Sequence, residues 1–172
     1  GNPDDPMSQA IDSVTSVGVV FTIAAGNDGC ENCIGSPGTA REAITVAAAC
    51  KSAEIGVDFS CNEPIASFSS RGPVTWTDQF GVQQTINKPD ISAPGVNICA
   101  AQFEDAWQSR ECLDTEHISI SGTSMATPHV AGAVALIKQA HPEFTPQQIK
   151  DIIKTSSFDL GLNQNIQGTG LI

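Results

Sequence analysis

The sequence predicts an α/β domain in three layers, built on a mainly parallel sheet. Two apolar runs carry that reading, Val19-Val20-Phe21-Thr22-Ile23-Ala24-Ala25 and Ala43-Ile44-Thr45-Val46-Ala47-Ala48-Ala49. Both are nearly continuous rather than alternating, the pattern of strands covered on both faces. Segments of helical spacing precede and follow them, and one of these, starting at Ser124, is mostly small or apolar and is expected to be a central, buried helix.

The elements follow in order. Residues 1–6 form a Gly/Asn/Pro/Asp loop. Met7, Ala10, Ile11, Val14 and Val17 recur at helical spacing, and Gly18 is a natural stop for that helix. The Val19–Ala25 strand breaks at Gly26-Asn27-Asp28-Gly29, and the Ala43–Ala49 strand follows. Shorter strands are expected around Ile65–Phe68, Asp90–Ser92, Val96–Ala100 and Ile118–Ile120. The polar stretches Ser69–Lys88 and Gln102–Glu116 read as surface excursions. The Ser124 helix runs to about Ala140. Thr145-Pro146-Gln147-Gln148 opens the last helix, with Thr as N-cap, Pro at the first position and Gln148 closing a capping box. Its buried stripe is Ile149, Ile152 and Ile153.

The 172 residues amount to one domain with a sizeable core. Eight basic against nineteen acidic residues give a formal charge of −11, which disfavours nucleic acid and anionic membranes as partners. No apolar run reaches the roughly 18 residues of a membrane span. There is no charged-then-apolar leader, so any signal segment is expected outside these residues. Six cysteines, Cys30, Cys33, Cys50, Cys61, Cys99 and Cys112, leave two readings open. One is disulfides in an oxidising compartment, for which nearest-neighbour pairing would staple three loops, although spacing does not fix connectivity. The other is a zinc site seeded by Cys30-x-x-Cys33 with Cys50 and Cys61.

The chemistry concentrates in Gly122-Thr123-Ser124-Met125-Ala126-Thr127-Pro128-His129-Val130-Ala131-Gly132, after the alternating run Ile118-Ser119-Ile120-Ser121. A serine between a glycine and a run of small residues suits a nucleophile at a helix start, its own N–H aimed at developing negative charge. A lone serine there would be a helix cap. Asn27, at the end of the first strand, is a neutral amide donor able to hold an oxyanion, although an Asn before Asp-Gly also suits a turn. Both residues follow a strand, so one cleft can hold them, because ligands of open parallel sheets sit at the carboxyl ends of strands. The near match Gly122-Thr123-Ser124-Met125-Ala126 to an esterase elbow fails, because no carboxylate lies between Ser124 and His141.

These segments resemble the catalytic-serine and oxyanion segments of the subtilisin-like serine proteases, the subtilases. Phe68-Ser69-Ser70-Arg71-Gly72-Pro73, Lys88-Pro89-Asp90-Ile91-Ser92-Ala93-Pro94-Gly95 and Gly168-Thr169-Gly170-Leu171-Ile172 extend the likeness over nearly the whole chain. The resemblance implies a secreted or extracellular serine endopeptidase of protein or peptide substrates that forms an acyl-enzyme on Ser124. Asn27 and the Ser124 N–H would hold the oxyanion. It implies a primary pocket with Ala24, Ala25 and Gly26 as one wall, Gly35-Ser36-Pro37 as rim, and Thr123 beside the substrate.

The family's Asp-Ser/Thr-Gly and His-Gly-Thr-His motifs do not occur here. The chain therefore reads as the C-terminal portion of a catalytic domain, residues 1–172, incomplete on its N-terminal side, with Asp and His supplied by an upstream segment and no activity on its own. His129 lies about 140° around the helix from Ser124, and His117 and His141 read as surface residues, so none is a base. The competing function is a catalytically inactive subtilase-like binding or assembly fragment. The chemistry needs no cofactor, but the resemblance suggests structural calcium, with Asp90 and the carbonyls of Arg41 and Ala43 as ligands. Asp90 serves equally as a loop-ordering hydrogen-bond acceptor, and carbonyl ligands leave no side-chain signature.

Overall fold

The computed structural model describes residues 1–104 and 110–172. Its centre is a parallel sheet of β1 (Thr22–Ala24), β2 (Ile44–Ala49) and β5 (Ile91–Pro94), in the order β1-β2-β5. Thr22 pairs with Ile44 and Val46 with Ile91, which sets the two registers. Every residue of β2 is buried, as a strand with a neighbour on both edges requires. The face of β2 bearing Ile44, Val46 and Ala48 packs with Ala126 and Val130 of α2 (Thr123–Ala140) and with Ile149 and Ile153 of α3 (Pro146–Thr155). Thr45 looks the other way and donates its hydroxyl to the Gly38 carbonyl at 2.7 Å.

The first strand is shorter than its apolar run and only half-buried, with Val19 45 % exposed. It is an edge strand with a single neighbour, so continuous apolarity here does not correspond to burial on both faces within this chain. The other edge of the sheet is sealed. Ser92 donates to Gly170 O at 2.8 Å and accepts from Ile172 N at 3.0 Å, so the Gly170–Ile172 segment covers the middle of β5 through one parallel bridge.

Two segments meet the surface in ways their residue patterns do not show. Helix α1 (Pro6–Thr15) forms with Asp5 as N-cap, its carboxylate accepting from Ser8 N at 2.9 Å. Its apolar positions Met7, Val14 and the following Val17 are exposed, however, and the buried residues are Ser8 and Thr15. The Ser8 hydroxyl is spent on Thr39 and Ser36 at 3.1 and 3.3 Å, so polar contacts dock this helix. Ser69–Lys88 is a surface excursion only in part. Ser69, Ser70, Val74 and Lys88 are buried, and the segment contains an antiparallel hairpin, β3 (Val74–Thr77) with β4 (Gln83–Ile86). The Trp76 indole on that hairpin donates to Asp4 at 2.6 Å and lies under the Arg41 guanidinium.

Ile65–Phe68 forms only an isolated bridge, Ile65 to Ala49. The strands expected near Val96 and Ile118 form a second hairpin, β6 (Ile98–Ala101) with β7 (His117–Ile120). The intervening stretch expected as a surface excursion, Gln102–Glu116, lies partly outside the described residues. Thr145 and Gln148 form the expected capping box of α3, whose buried side comprises Ile149, Lys150 and Ile153, with Ile152 36 % exposed. A short helix, α4 (Gln164–Gln167), was not expected and turns the chain back toward β5.

The cysteines resolve as disulfides at two of the three adjacent pairs, Cys50–Cys61 and Cys99–Cys112. Cys30 and Cys33 are free thiols in a loop tied down by Arg71 N to Cys30 O at 3.0 Å. The four-cysteine zinc reading fails, because Cys50 and Cys61 are bonded to each other, and no cluster of metal-binding side chains occurs among the described residues.

The outer edge of β1 and the exposed Val14, Val17, Val19 and Leu136 leave backbone groups and apolar surface open to solvent. The 172-residue chain by itself should associate and unfold over a broad denaturant range. Size-exclusion chromatography with chemical denaturation checks this; a monomer with a steep transition at a high midpoint is the contrary result.

Candidate active site

Strand β7 ends at Ile120, and two residues later the chain enters α2, so Ser124 sits in the first helical turn. Backbone bonds hold the entry to the sheet: Gly122 N donates to Gly95 O at 2.8 Å, and Gly95 N to Ala49 O at 2.9 Å. Glycine at 95 is needed for this approach, since a Cβ there would lie 2.7 Å from the Ala48 Cβ and 2.9 Å from Gly122 O. In the first turn, Met125 N and Ala126 N donate to Gly122 O, and Thr123 N to the Asn27 side chain. The Ser124 N–H has no acceptor among the described residues, and the side chain is exposed. Pro128, four residues on, supplies no N–H to the Ser124 carbonyl.

Asn27 faces this turn from the end of β1. The ladder continues through Ala25 N to Val46 O at 2.9 Å, then reverses at Gly26, whose φ of +107° lies in the region open to glycine. Ser70 pins the turn: its N–H donates to Gly26 O at 2.9 Å and its hydroxyl accepts from Asp28 N at 3.1 Å. The Asn27 Oδ1 accepts from both Thr123 N and Thr123 Oγ1 at 2.9 Å, and Thr123 Oγ1 accepts in turn from Gly26 N at 3.3 Å. With its oxygen committed to Thr123, the amide presents Nδ2 on the other side. A Cβ placed on Gly122 would lie 3.6 Å from Asn27 Nδ2 and 3.7 Å from Ser124 N, so the two donors flank one point beside the serine.

Thr123 is fully buried, with its hydroxyl spent on Asn27 and Gly26, so it positions Asn27. Ala24 is half-buried, Ala25 buried, and Gly35 and Ser36 exposed. The expected wall and rim of the pocket meet at Gly38, where a side chain would lie 3.0 Å from both Ala24 O and Gly35 O. Pro37 is half-buried behind the rim, and the Ser36 hydroxyl reaches Ser8. Beside the rim, burial opposes charge on the Cys33 thiol, but hydrogen bonds from Cys30 and Ser70 outweigh it and hold the thiol below its ordinary pKa.

No histidine of the chain approaches Ser124 as a base. The His129 Nδ1 is on Met125 O at 2.9 Å, His117 Nδ1 is on Asp114 at 2.6 Å, and His141 stacks on Phe144.

The oxygens suggested for calcium come together, but around ammonium groups. Lys150 Nζ lies 2.8 Å from Arg41 O, 2.9 Å from Ala43 O and 3.2 Å from Asp90 Oδ1. Lys88 Nζ donates to Ala43 O at 2.9 Å and to Asp90 Oδ2 at 2.6 Å, and Thr45 N reaches the same Oδ2 at 2.9 Å. Burial opposes the Asp90 charge, but Lys88 and Lys150 outweigh it and keep the carboxyl below its usual pKa. Burial, only partly offset by Asp90, pushes Lys88 down to about 8. This donor set does not fit calcium, which needs six to eight oxygens at about 2.3–2.6 Å. A divalent ion 4 Å from one ammonium would be repelled by about 8 kcal/mol at an effective dielectric of about 20. Sequence reasoning missed both lysines; the one available signal was a lysine at position 150 directly beside Ile149 of the buried stripe.

The model of the subtilase family matches residues 1–170, and the chain belongs to that family. It is 36 % identical over 176 residues to the serine protease AprX of Bacillus subtilis (strain 168), covering 98 % of this chain and 37 % of that protein. It is likewise 36 % identical over 171 residues to subtilisin BL of Lederbergia lenta, covering 99 % of this chain and 50 % of that protein. Among solved structures, a protease of Pseudoalteromonas arctica PAMC 21717 superposes with a TM-score of 0.65 at 28 % identity, over all of this chain and 45 % of that one. The chain thus spans half or less of the length of these relatives.

Thr123→Val keeps the backbone bond to Asn27 but drops the hydroxyl bond, a loss of about 1 kcal/mol. In the full-length enzyme it should lower kcat about fivefold with KM little changed, and Thr123→Ser should restore turnover. Steady-state kinetics on a peptide substrate checks both.

Proposed function

We propose that this chain forms the C-terminal portion of the catalytic domain of a serine endopeptidase that hydrolyses protein or peptide substrates through an acyl-enzyme on Ser124. The observation that carries the reading is that Asn27 Nδ2 and the uncommitted Ser124 N lie 3.6 and 3.7 Å from one point beside the serine. In this reading Ser124 Oγ attacks the scissile carbonyl carbon, and the carbonyl oxygen gains its negative charge between those two donors. Collapse expels the amine and leaves an ester on Ser124, which water then cleaves. Both donors are preorganised, one by a helix start and the other by Thr123, so neither has to reorient as charge develops.

The proton of Ser124 needs a base, and the base needs an orienting acid. The three histidines of this chain are directed elsewhere, so an upstream segment carrying Asp and His supplies both, and the chain alone is inactive. The Ala24–Gly26 wall and the Gly35–Pro37 rim receive the side chain before the scissile bond. Two disulfides fit an oxidising, extracellular setting.

A fluorophosphonate probe should label Ser124 in the full-length enzyme, with labelling lost in Ser124→Ala; an adduct on another serine, mapped by mass spectrometry, overturns the assignment. Asn27→Ala should lower kcat by about 10- to 100-fold, the worth of a hydrogen bond to a charged group, with KM nearly constant. A rise in KM at constant kcat would make Asn27 a turn or substrate-positioning residue. Absence of both probe labelling and peptide turnover would identify a catalytically inactive binding or assembly fragment.

A further inference from the structure

We infer that the side chains of Lys88 and Lys150 are the structural cation of this chain, a built-in replacement for a metal ion at the junction of β2, β5 and α3. Two segments distant in sequence present negative or partly negative oxygens to one small volume. They are the Arg41 and Ala43 carbonyls before β2, and the Asp90 carboxylate just before β5. A cluster of oxygens with one carboxylate demands positive charge, and the buried Lys88 and Lys150, 2 % and 7 % exposed, deliver it from two directions. Ala43 O accepts from both ammonium groups, and each oxygen of Asp90 faces one of them. Lys154 adds a third positive charge at 3.7 Å from Asp90 Oδ1. With every oxygen already paired and three cations close by, a divalent ion has neither ligands nor a favourable field at this point.

The device differs from a bound ion in one respect. An ion leaves when chelated or diluted, whereas Lys88 and Lys150 are covalently part of the strand connection and the helix they tie together. Lys150 thereby fastens α3 to the start of β2. Asp90 receives the Thr45 N–H, and the Thr45 hydroxyl holds Gly38, the meeting point of the pocket wall and rim. The rim at Gly35–Pro37 is thus braced from behind by ammonium groups, without a metal.

The test uses the full-length enzyme and calcium chloride as the probe. Acetylation of lysines by acetic anhydride, read residue by residue by mass spectrometry, is run with 10 mM calcium and with chelator. Lys88 and Lys150 should be protected at least tenfold relative to the exposed Lys51 in both conditions. Calcium-dependent exposure of Lys150 would mean that the ion displaces the ammonium and would overturn the inference. Equilibrium dialysis supplies a second measure. Wild type and Asp90→Asn should hold the same number of calcium ions, and Lys88→Met/Lys150→Met one more; loss of an ion in Asp90→Asn would overturn the inference. Lys150→Met should shorten the thermal half-life at least tenfold to the same extent with calcium or chelator, and full restoration by calcium without the extra bound ion would count against it. The acetylation comparison needs only wild-type protein, so a variant that fails to fold leaves the question decidable.

Discussion

Thr123 joins two segments 96 residues apart, and the geometry of the cleft depends on that junction. Its N–H and hydroxyl both bind Asn27 Oδ1, which fixes the amide plane and decides which face carries the donors. The same hydroxyl accepts from Gly26 N, so the turn after β1 and the start of α2 are held by one side chain. Threonine is suited to this position because its β-branched stem is stiff while its hydroxyl both donates and accepts. Ser70 completes the frame by gripping the other side of the Gly26–Asp28 turn, and the two grips leave Asn27 little freedom.

Close approach is the second constraint. Ala48, Gly95 and Gly122 stack backbone on backbone at the carboxyl end of the sheet, with distances that exclude a side chain at Gly95. The alanines of β2 leave room for α2 to lie across all three strands, with Ala126 and Val130 as its contact face. Small residues are used where precision is required, and the larger aliphatics, Ile44, Ile91, Ile149 and Ile153, fill the core farther from the cleft.

The parallel sheet, the Ser124 helix and the capped α3 were legible from the residues, because continuous apolar runs and the Thr-Pro-Gln-Gln start have direct physical readings. The β1 run was misleading: apolarity records the burial a strand is built for, and here one edge of that strand has no partner among the described residues. Helix α1 shows the same effect, its apolar stripe facing outward while Ser8 docks it. The Ser69–Lys88 stretch was misread in part because most of its buried side chains are polar. Ser69 is spent on Ala48 N and Lys88 on Ala43 O and Asp90, long-range pairings that no local pattern announces. At the site, Ser124 and Asn27 stood out by their surroundings, whereas the anchoring role of Thr123 depends on a partner on another strand. Asp90 read either as a calcium ligand or as a hydrogen-bond acceptor, and nothing local announced the two lysines that it meets.

The pairing of Ser92 with Gly170 and Ile172 has a consequence for synthesis on the ribosome. Translation proceeds from the amino end, so β1, β2 and β5 emerge long before the segment that covers the flank of β5. Until residue 172 has cleared the exit tunnel, the nascent sheet carries a row of bare peptide groups on that flank, able to recruit a strand from a neighbouring chain. Emergence of residues 170–172 therefore ends a period of vulnerability, and a nascent-chain chaperone would have most to do in the interval between the emergence of Pro94 and that of Leu171.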